Sequence, residues 1–430
     1  SYMKILHTSD WHLGQVFHDY DRSEEQRDML RQITDIVTVE QPDALVVSGD
    51  VFHTGSPSAT ALEMYNEAIL DMHEACPQMQ IVVTAGNHDS AARLVVNNSL
   101  WEHFNVSVIG HVAKHKDENR TPDYEPHVIK VCDNNKNVLG YIAAIPHCYE
   151  SNFPTENPEL QRKERMTAYF EELNEYVKSV NTEGLPTVLM AHMAVTGCDF
   201  AGHDMIGGME CKDADVLGSG YDYVALGHIH TPQNINERVR YCGTPIPVNF
   251  GEKFEHSVSI VTLEKGEKPV VETKAIKNLI PLHDFPTQLP DADVKEEELD
   301  EKHRPLPFNE VLDKLREFDP DKRCYLRLIV KVDDTLSPLA NAQIAEVVKG
   351  KKCRYCLIKP FIYKKDKDEA EAKRQVKLDV GSLKEKSPLD IAQMFFAMKG
   401  LELTDTKAEM IRISTEKAEQ NTKEDNNNEA

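Results

Sequence analysis

The amino-acid sequence predicts a layered α/β domain followed by a smaller α+β domain and C-terminal helices. Residues 3–250 repeat a short apolar strand, a polar turn and an amphipathic helix, which is the pattern of sheets covered by helices. After residue 250 this pattern gives way to hairpin-like and strongly charged segments. At 430 residues the chain exceeds one ordinary hydrophobic core, so we expect two or three domains.

Six segments of the first domain have the β-branched or large apolar composition of buried strands. These predicted strands are residues 5–6, 44–48, 81–84, 141–145, 187–191 and 223–226. Apolar residues at helical spacing predict helices at residues 21–39, 59–75 and 158–180. Residues 105–132 are predicted to be irregular or hairpin-like.

A hairpin at residues 257–263 and 268–275 is predicted to close the first domain, and the acidic residues 284–300 to form a linker. A strand, a helix and a second strand are then predicted at residues 325–332, 339–348 and 353–362. The predicted domains are residues 3–280, a small α+β domain at 281–365, a linker and helical segment at 366–420, and a disordered tail at 421–430.

Composition narrows the class of protein. The formal net charge of −23 argues against a protein that binds nucleic acid through its own basic surface. No apolar run is long enough to span a bilayer and no secretory signal is visible, so we expect a cytoplasmic protein without a membrane partner. Nine irregularly spaced cysteines argue against a disulfide framework, and Cys353 and Cys356 are expected to be ordinary thiols.

Side chains that ligate metals follow five of the six predicted strands. In chain order they are Asp10 and His12, Asp50, Asn87 with His88 and Asp89, His192, and His228 with His230. The carboxyl ends of strands in an α/β sheet meet at the crevice where ligands bind, so distant residues are expected to converge there. A single histidine or Gly-Asp pair is usually structural, but five such groups in this order predict a metal site.

The ligand types indicate the chemistry. Carboxylate, imidazole and amide donors together suit Mn²⁺, Fe or Zn²⁺ better than Mg²⁺, which prefers oxygen and water. Asp50 has two carboxylate oxygens and is expected to bridge two ions. Two adjacent divalent ions stabilise both the attacking and the leaving oxygen of a phosphodiester, so the sequence predicts a two-metal phosphoesterase.

These motifs resemble the five sequence blocks of the calcineurin-like metallophosphoesterases. Within that superfamily, residues 7–14, 49–57, 86–90 and 241–247 resemble the SbcD family, the nuclease subunits of SbcCD complexes. The resemblance implies the metallophosphoesterase fold, a layered β-sandwich flanked by helices, with a small α+β capping domain and C-terminal helices.

The resemblance also implies a role for each position. One metal is expected to bind Asp10, His12, Asp50 and His230, and the other to bind Asp50, Asn87, His192 and His228, with Mn²⁺ as the favoured ion. His88 is expected to act on the scissile phosphate without ligating a metal, with Asp89 orienting it. His53 is expected either to contact phosphate or to be a loop histidine at the rim of the site.

The implied substrate is DNA, cut as a double-strand exonuclease and as a hairpin and single-strand endonuclease in repair, recombination and replication. The implied partner is an SbcC-type, SMC-like ATPase, joined by a homodimer of this chain in a heterotetramer. The helical segment with Leu389, Met394, Phe395 and Phe396 either docks on that partner or packs on the capping domain. The alternatives are a cyclic-nucleotide phosphodiesterase, a protein phosphatase, or a scaffold subunit for an ATPase.

Overall fold

The structure, a computed structural model, describes residues 2–157, 159–200, 213–217, 219–332 and 336–363. The predicted helical segment at 366–420 and the predicted tail at 421–430 lie outside these residues. The chain divides into two compact units, the first formed by Ser1–His283, Phe318–Arg327 and Val348–Leu357. The domain limits expected from the sequence stay predictions. Within the described residues, no helix is both long and apolar enough to cross a membrane.

Strands and helices alternate at the start of the chain, and strands predominate after residue 180. In chain order they are β1 (Tyr2–Thr8), α1 (Ser23–Glu40), β2 (Ala44–Ser48), α2 (Ala59–Ala75), β3 (Gln80–Thr84), β4 (Val106–Ile109), β5 (Val128–Cys132), β6 (Val138–Ala144), α3 (Arg165–Val180), β7 (Thr187–His192), β8 (Tyr223–Gly227), β9 (Gln233–Asn234), β10 (Val239–Tyr241), β11 (Ser257–Glu264) and β12 (Val270–Ala275). Short helices at Ala91–Leu94 and Asn98–Trp101 follow β3, and a two-stranded hairpin, Val16–Phe17 with Tyr20–Asp21, follows β1.

Two six-stranded sheets form the centre of the first unit. The first sheet has the strand order β12-β11-β1-β2-β3-β4, and the second has the order β9-β10-β8-β7-β6-β5. Strands β1 to β4 run parallel to one another, and so do β6, β7, β8 and β10. The predicted hairpin is present as β11 and β12, and β11 pairs antiparallel with β1 at the edge of the parallel strands.

The apolar residues of these strands form three layers of core. A cluster that includes Met3, Ile5, Val46, Val188 and Met190 fills the space between the two sheets. A second cluster packs the first sheet against α1 and α2, and a third packs the second sheet against α3. Burial on both faces explains why these strands are apolar throughout instead of alternating. The predicted β-sandwich flanked by helices is confirmed.

Two predictions about local structure are wrong. Residues 106–109, within the segment expected to be irregular or hairpin-like, form β4 and pair in parallel with β3 at the edge of the first sheet. Helix α3 begins at Arg165 instead of residue 158, because Gln161 and Glu164 form a capping box around the preceding turn Arg162–Glu164.

The elements after residue 280 include a four-stranded sheet. They are β13 (Leu282–Phe285), β14 (Leu306–Pro307), α4 (Phe308–Arg316), β15 (Tyr325–Lys331), α5 (Ala340–Val348) and β16 (Arg354–Phe361). Strand β15 lies between β13 and β14 and also pairs with β16. Within the second unit, Ile329, Phe361 and Tyr363 form a small buried cluster. The predicted strand, helix and strand in this part of the chain correspond to β15, α5 and β16.

A buried ion pair anchors the start of α1 within the first unit. Arg22 and Glu25 are fully buried and their side chains lie 3.0 Å apart. The Arg22 guanidinium also donates to Gln15 Oε1 and to the Pro247 carbonyl, both at 2.7 Å, and Tyr325 Oη donates to Glu25 at 2.5 Å. Every group of this network has a partner, which is the condition under which buried charges are tolerated.

We expect Arg22→Ala to lower the free energy of unfolding by roughly 3–5 kcal/mol, because it leaves the Glu25 carboxylate buried without its cation. Urea denaturation followed by circular dichroism measures this change. Arg31→Ala is the matched control, since Arg31 lies on the exposed face of the same helix and pairs with Asp28 and Asp35 in solvent. The control is expected to stay close to wild type, and an equal loss in both variants would contradict the prediction.

Candidate metal centre

The two sheets touch at the carboxyl ends of β2, β7 and β8, and Ser48 is the point of contact. Its carbonyl oxygen accepts a hydrogen bond from His192 Nδ1 at 2.8 Å, and its hydroxyl donates to the Ala225 carbonyl at 3.0 Å. A Cβ atom on Gly227 would lie 1.9 Å from the Ser48 carbonyl oxygen. Only glycine therefore permits this approach, which brings the loops of both sheets together.

One group of predicted ligands consists of Asp10, His12 and His230. One donor atom from each residue lies within 4.8 Å of the others. His12 Nε2 and His230 Nε2 lie 3.3 Å apart. The backbone N–H of His228 donates to both carboxylate oxygens of Asp10 at 3.1 Å, and this contact orients the carboxylate.

A second group consists of Asp50, His192 and His228, again with donor atoms within 4.8 Å of one another. Asn87 joins it, because its Oδ1 lies 2.9 Å from both His192 Nε2 and His228 Nδ1. Asp50 Oδ2 lies 3.4 Å from His192 Nε2 and 3.8 Å from His12 Nε2. Asp50 therefore lies between the two groups, where a bridging carboxylate is required.

Four residues at this site have backbone conformations that residues other than glycine rarely adopt. Asp10, His12, Asp50 and His228 have φ values of 54°, 46°, 50° and 93°. Each such conformation costs about 1–3 kcal/mol and persists only where surrounding structure imposes it. Four of the seven predicted ligands share this property, so packing of the loops, and not local preference, sets the direction of these side chains.

Burial and mutual charge determine the protonation of the group, considered as protein atoms alone. Burial lowers the pKa of His12 and of His228, the latter to about 3, so both imidazoles are neutral at pH 7. Burial opposes charge on His192 as well, but the Asp50 carboxylate raises the pKa of His192 to about 9. Burial alone would raise the pKa of Asp50, and the charge of His192 outweighs it and lowers that pKa.

The donor set fits two divalent cations. His192 Nδ1 donates to the Ser48 carbonyl and His230 Nδ1 contacts the Glu252 carboxylate at 2.9 Å, so Nε2 of each ring is directed at the centre. Ligation needs carboxylates and neutral imidazoles, so binding of an ion would release the proton that His192 carries in its absence. Of the described residues, the groups able to hold an ion contain histidine and aspartate only, and Cys353 and Cys356 are free thiols.

His88 and His53 lie beside the first group. Both have a ring nitrogen within 4.8 Å of one of His12. The His88 and His53 rings are stacked with centroids 5.7 Å apart, and His88 Nδ1 lies 2.8 Å from the His53 carbonyl oxygen. Because a carbonyl only accepts, His88 Nδ1 carries a hydrogen and Nε2 remains available to a substrate.

The contacts of Asp89 differ from the expectation that it orients the His88 ring. Its carboxylate accepts hydrogen bonds from the backbone N–H groups of Val51, Phe52 and Gly86, at 3.1, 2.8 and 2.8 Å. The carbonyl of His53, and not Asp89, contacts the His88 ring. Asp89 therefore fixes the loops that carry Asp50 and Asn87 relative to each other.

Two positioning residues were missed by the sequence reasoning. Glu252 has a fully buried side chain and contacts His230, Thr244 and the Val248 N–H. Gln26 of α1 donates to the His12 carbonyl and accepts from the Gly14 N–H, both at 2.9 Å. The sequence indicates Gln26 only weakly, as a polar residue on the buried face of a predicted helix. Nothing in the sequence around Glu252 distinguishes it from a surface glutamate.

Comparison with known proteins agrees with this geometry. The calcineurin-like phosphoesterase family matches residues 3–232, and the family described as Type 5 capsule protein repressor C-terminal domain matches residues 302–399. The chain is 33% identical to the SbcD subunit of nuclease SbcCD from Rhodobacter capsulatus over 281 residues, which cover 62% of this chain and 68% of that protein. It is 31% identical to the protein of that name from Escherichia coli K12, covering 63% and 67%. Identity to the one from Bacillus subtilis is 30%, covering 64% and 73%.

We expect Glu252→Gln to weaken the binding of one divalent ion roughly tenfold to a hundredfold, because the neutral amide no longer polarises His230. Isothermal titration of chelator-treated protein with Mn²⁺ measures both affinities. Glu255→Gln is the matched control, since Glu255 is exposed in the same turn. Two ions bound as tightly as in the wild type would contradict this role for Glu252.

Proposed function

Because the chain belongs to the calcineurin-like phosphoesterases and, within them, to the SbcD family of SbcCD nuclease subunits, we propose that it hydrolyses phosphodiester bonds of DNA with two divalent ions. The observation that carries the proposal is the pair of ligand groups on either side of Asp50. Cleavage as a double-strand exonuclease and as a hairpin and single-strand endonuclease, in repair, recombination or replication, is part of the proposal.

The predicted ligands divide into two sets in this proposal. Asp10, His12, Asp50 and His230 hold one ion, and Asp50, Asn87, His192 and His228 hold the other. Mn²⁺ is the ion we propose, because nitrogen and oxygen donors are mixed in both sets. Bound divalent ions supply Lewis-acid stabilisation of the phosphoryl oxygens and a water of lowered pKa.

His88 acts on the leaving group in this proposal. Its backbone N–H donates to Asp50 Oδ1 at 2.9 Å, which ties it to the bridging carboxylate. With Nδ1 against the His53 carbonyl, Nε2 is the atom that donates a proton to the leaving oxygen or stabilises its charge. His53 supports this orientation by stacking on the ring, and its own ring lies near enough to His12 to contact the same phosphate.

The partner in the proposal is an SbcC-type, SMC-like ATPase in a heterotetramer with a homodimer of this chain, in the cytoplasm. The relatives are named as subunits of a nuclease, and this name supports a multi-subunit assembly. The net charge of −23 supports the same view, because a polyanion bound by so acidic a chain gains affinity from a second protein.

A closed DNA hairpin tests the proposed substrate. We expect the chain, mixed with Mn²⁺, ATP and its ATPase partner, to cut the hairpin, and the cut to disappear when a chelator is added. Cyclic AMP and a phosphoserine peptide serve as competing substrates in parallel reactions. An intact hairpin together with hydrolysis of either competitor would contradict the nuclease assignment and favour a cyclic-nucleotide phosphodiesterase or a protein phosphatase. An intact hairpin with no hydrolysis at all would favour a scaffold subunit.

We expect His88→Ala to lower kcat for DNA cleavage roughly a hundredfold or more, since general-acid catalysis contributes on that scale. Titration with Mn²⁺ is expected to show two ions still bound, because His88 is outside both proposed ligand sets. His103→Ala is the matched control, an exposed histidine in the turn Glu102–Phe104. Loss of one bound ion in His88→Ala would identify His88 as a ligand instead.

A further inference from the structure

A groove leads away from the metal centre along the loops of the first unit. It consists of two adjoining cavities of about 360 and 420 Å³ that share Lys114 and Asn152 as lining residues. The inner cavity begins at Asn87, a predicted ligand, and is also lined by His147 and Tyr149. We call these two cavities together the lateral groove.

The inner end of the lateral groove is attached to the metal centre through His147. Its backbone N–H donates to the Ala85 carbonyl at 2.8 Å, just before the loop that carries Asn87. Its Nδ1 lies 3.4 Å from the His192 carbonyl, and its Nε2 is buried without a partner among the described residues. The inner end of the groove is therefore adjacent to Asn87 and His192, two of the predicted ligands.

Three cations line the lateral groove without carboxylate partners in the described part of the chain. They are Lys114, Arg120 and Arg165. Lys114 Nζ contacts only the Asn152 carbonyl, at 3.4 Å, and the buried Arg165 Nε has no hydrogen-bond partner among the described residues. Elsewhere in this acidic protein, Arg27 and Arg31 each pair with two carboxylates. Three cations beside one cavity make the local potential positive, which favours an anionic ligand there.

Hydrogen bonds stabilise the turn that carries Arg120. Arg120 has a φ of 49°, a conformation that is rare for a residue with a side chain. The turn is stabilised by Asp117, which accepts hydrogen bonds from the Thr121 N–H at 3.0 Å and from the Thr121 hydroxyl at 2.5 Å. These hydrogen bonds fix the backbone from which the Arg120 side chain extends.

An aromatic ring stands at the inner end of the lateral groove. Tyr149 is 70% exposed, and its ring meets that of His147 edge to face at 5.2 Å. An exposed ring beside unpaired cations is the combination that binds single-stranded nucleic acid, because bases stack on the ring while cations contact the phosphates. A double helix offers no unstacked base to such a ring.

The part of α3 that follows Arg165 is acidic. A separate cavity of about 930 Å³ is lined by Glu156, Glu171, Glu172 and Glu175. Glu172 follows Arg165 by two turns on the same side of α3, a rise of ~10 Å. A polyanion that reaches Arg165 is therefore repelled from the next part of the helix, so the groove has room for a few nucleotides only.

On these grounds we propose that the lateral groove binds a single strand of DNA extending from the scissile phosphodiester. In this arrangement the base next to the cleavage point stacks on Tyr149, and Lys114, Arg120 and Arg165 contact successive phosphates. The proposal rests on the proposed nuclease function and deepens it, since it assigns the path of the substrate outside the metal centre.

The test compares two triple variants of the full chain with equal loss of charge. Lys114→Gln/Arg120→Gln/Arg165→Gln alters the groove, whereas Lys130→Gln/Lys136→Gln/Lys277→Gln removes three exposed cations outside it. Fluorescence anisotropy measures binding of a single-stranded oligodeoxynucleotide and of a blunt duplex over a range of salt. Hydrolysis of bis(p-nitrophenyl) phosphate, too small to reach the groove, reports on the metal centre.

We expect the groove variant to bind the single strand at least tenfold more weakly than the control variant. The slope of log K against log salt is negative, and its magnitude is expected to decrease by about 2, because three phosphate contacts on a single strand are lost. Tyr149→Ala is expected to weaken single-strand binding about tenfold with little change in the salt slope, because it removes stacking and no charge. The groove variant's loss of oligonucleotide cleavage is expected to exceed its loss of small-diester hydrolysis at least tenfold.

Several results would overturn the assignment. Equal single-strand affinities of the two triple variants, with cleavage by the wild type intact, would refute the groove and leave the nuclease function standing. Weakened binding of the duplex alone would refute the single-strand assignment. A wild-type chain that hydrolyses the small diester but, with Mn²⁺, ATP and its ATPase partner present, neither binds nor cuts DNA would overturn both proposals.

Discussion

The contact between the two sheets at Ser48 makes the metal centre possible. The Ser48 carbonyl meets the His192 ring from the second sheet, and the missing side chain of Gly227 lets the backbones approach. Each sheet by itself carries only part of the ligand set, Asp10, Asp50 and Asn87 following strands of one and His192 and His228 strands of the other. Each ligand group contains residues from both sheets, so separating the sheets by even the width of a side chain would split both groups.

The same contact explains where the strain of the structure lies. The left-handed backbone of Asp10, His12, Asp50 and His228 costs free energy that the three layers of apolar core offset. Asp89 and Gln26 hold the loops by hydrogen bonds to their backbone, so that the side chains of the loops stay free for ligation. A rigid two-sheet core thus supports a site made almost entirely of loop residues.

The local distribution of charge differs from the net charge of the chain. The chain is strongly acidic, yet negative side chains within the centre are matched by imidazoles, and the lateral groove carries cations without carboxylate partners in the described residues. In the proposed arrangement this local positive charge favours the approach of a polyanion along the lateral groove. Net charge by itself argued against a nucleic-acid ligand, whereas the local arrangement of charge supports one, because screening confines exposed charges to a range of about 8–10 Å.

The strands, the apolar cores and the seven candidate ligands could be predicted from the sequence, because strand periodicity and the residue that ends each strand are local properties. The prediction was wrong about Val106–Ile109, an edge strand whose pairing with β3 outweighs its polar surroundings. The resemblance already implied how the ligands divide into two sets, but tertiary packing alone established that Glu252 supports His230, that His53 rather than Asp89 contacts the His88 ring, and that Lys114, Arg120 and Arg165 line one groove. These relations join residues far apart in the chain, such as Ser48 and His192, which are separated by 144 positions. Contacts of that kind arise from the packing of sheets and loops, for which no local pattern of residues carries a signal.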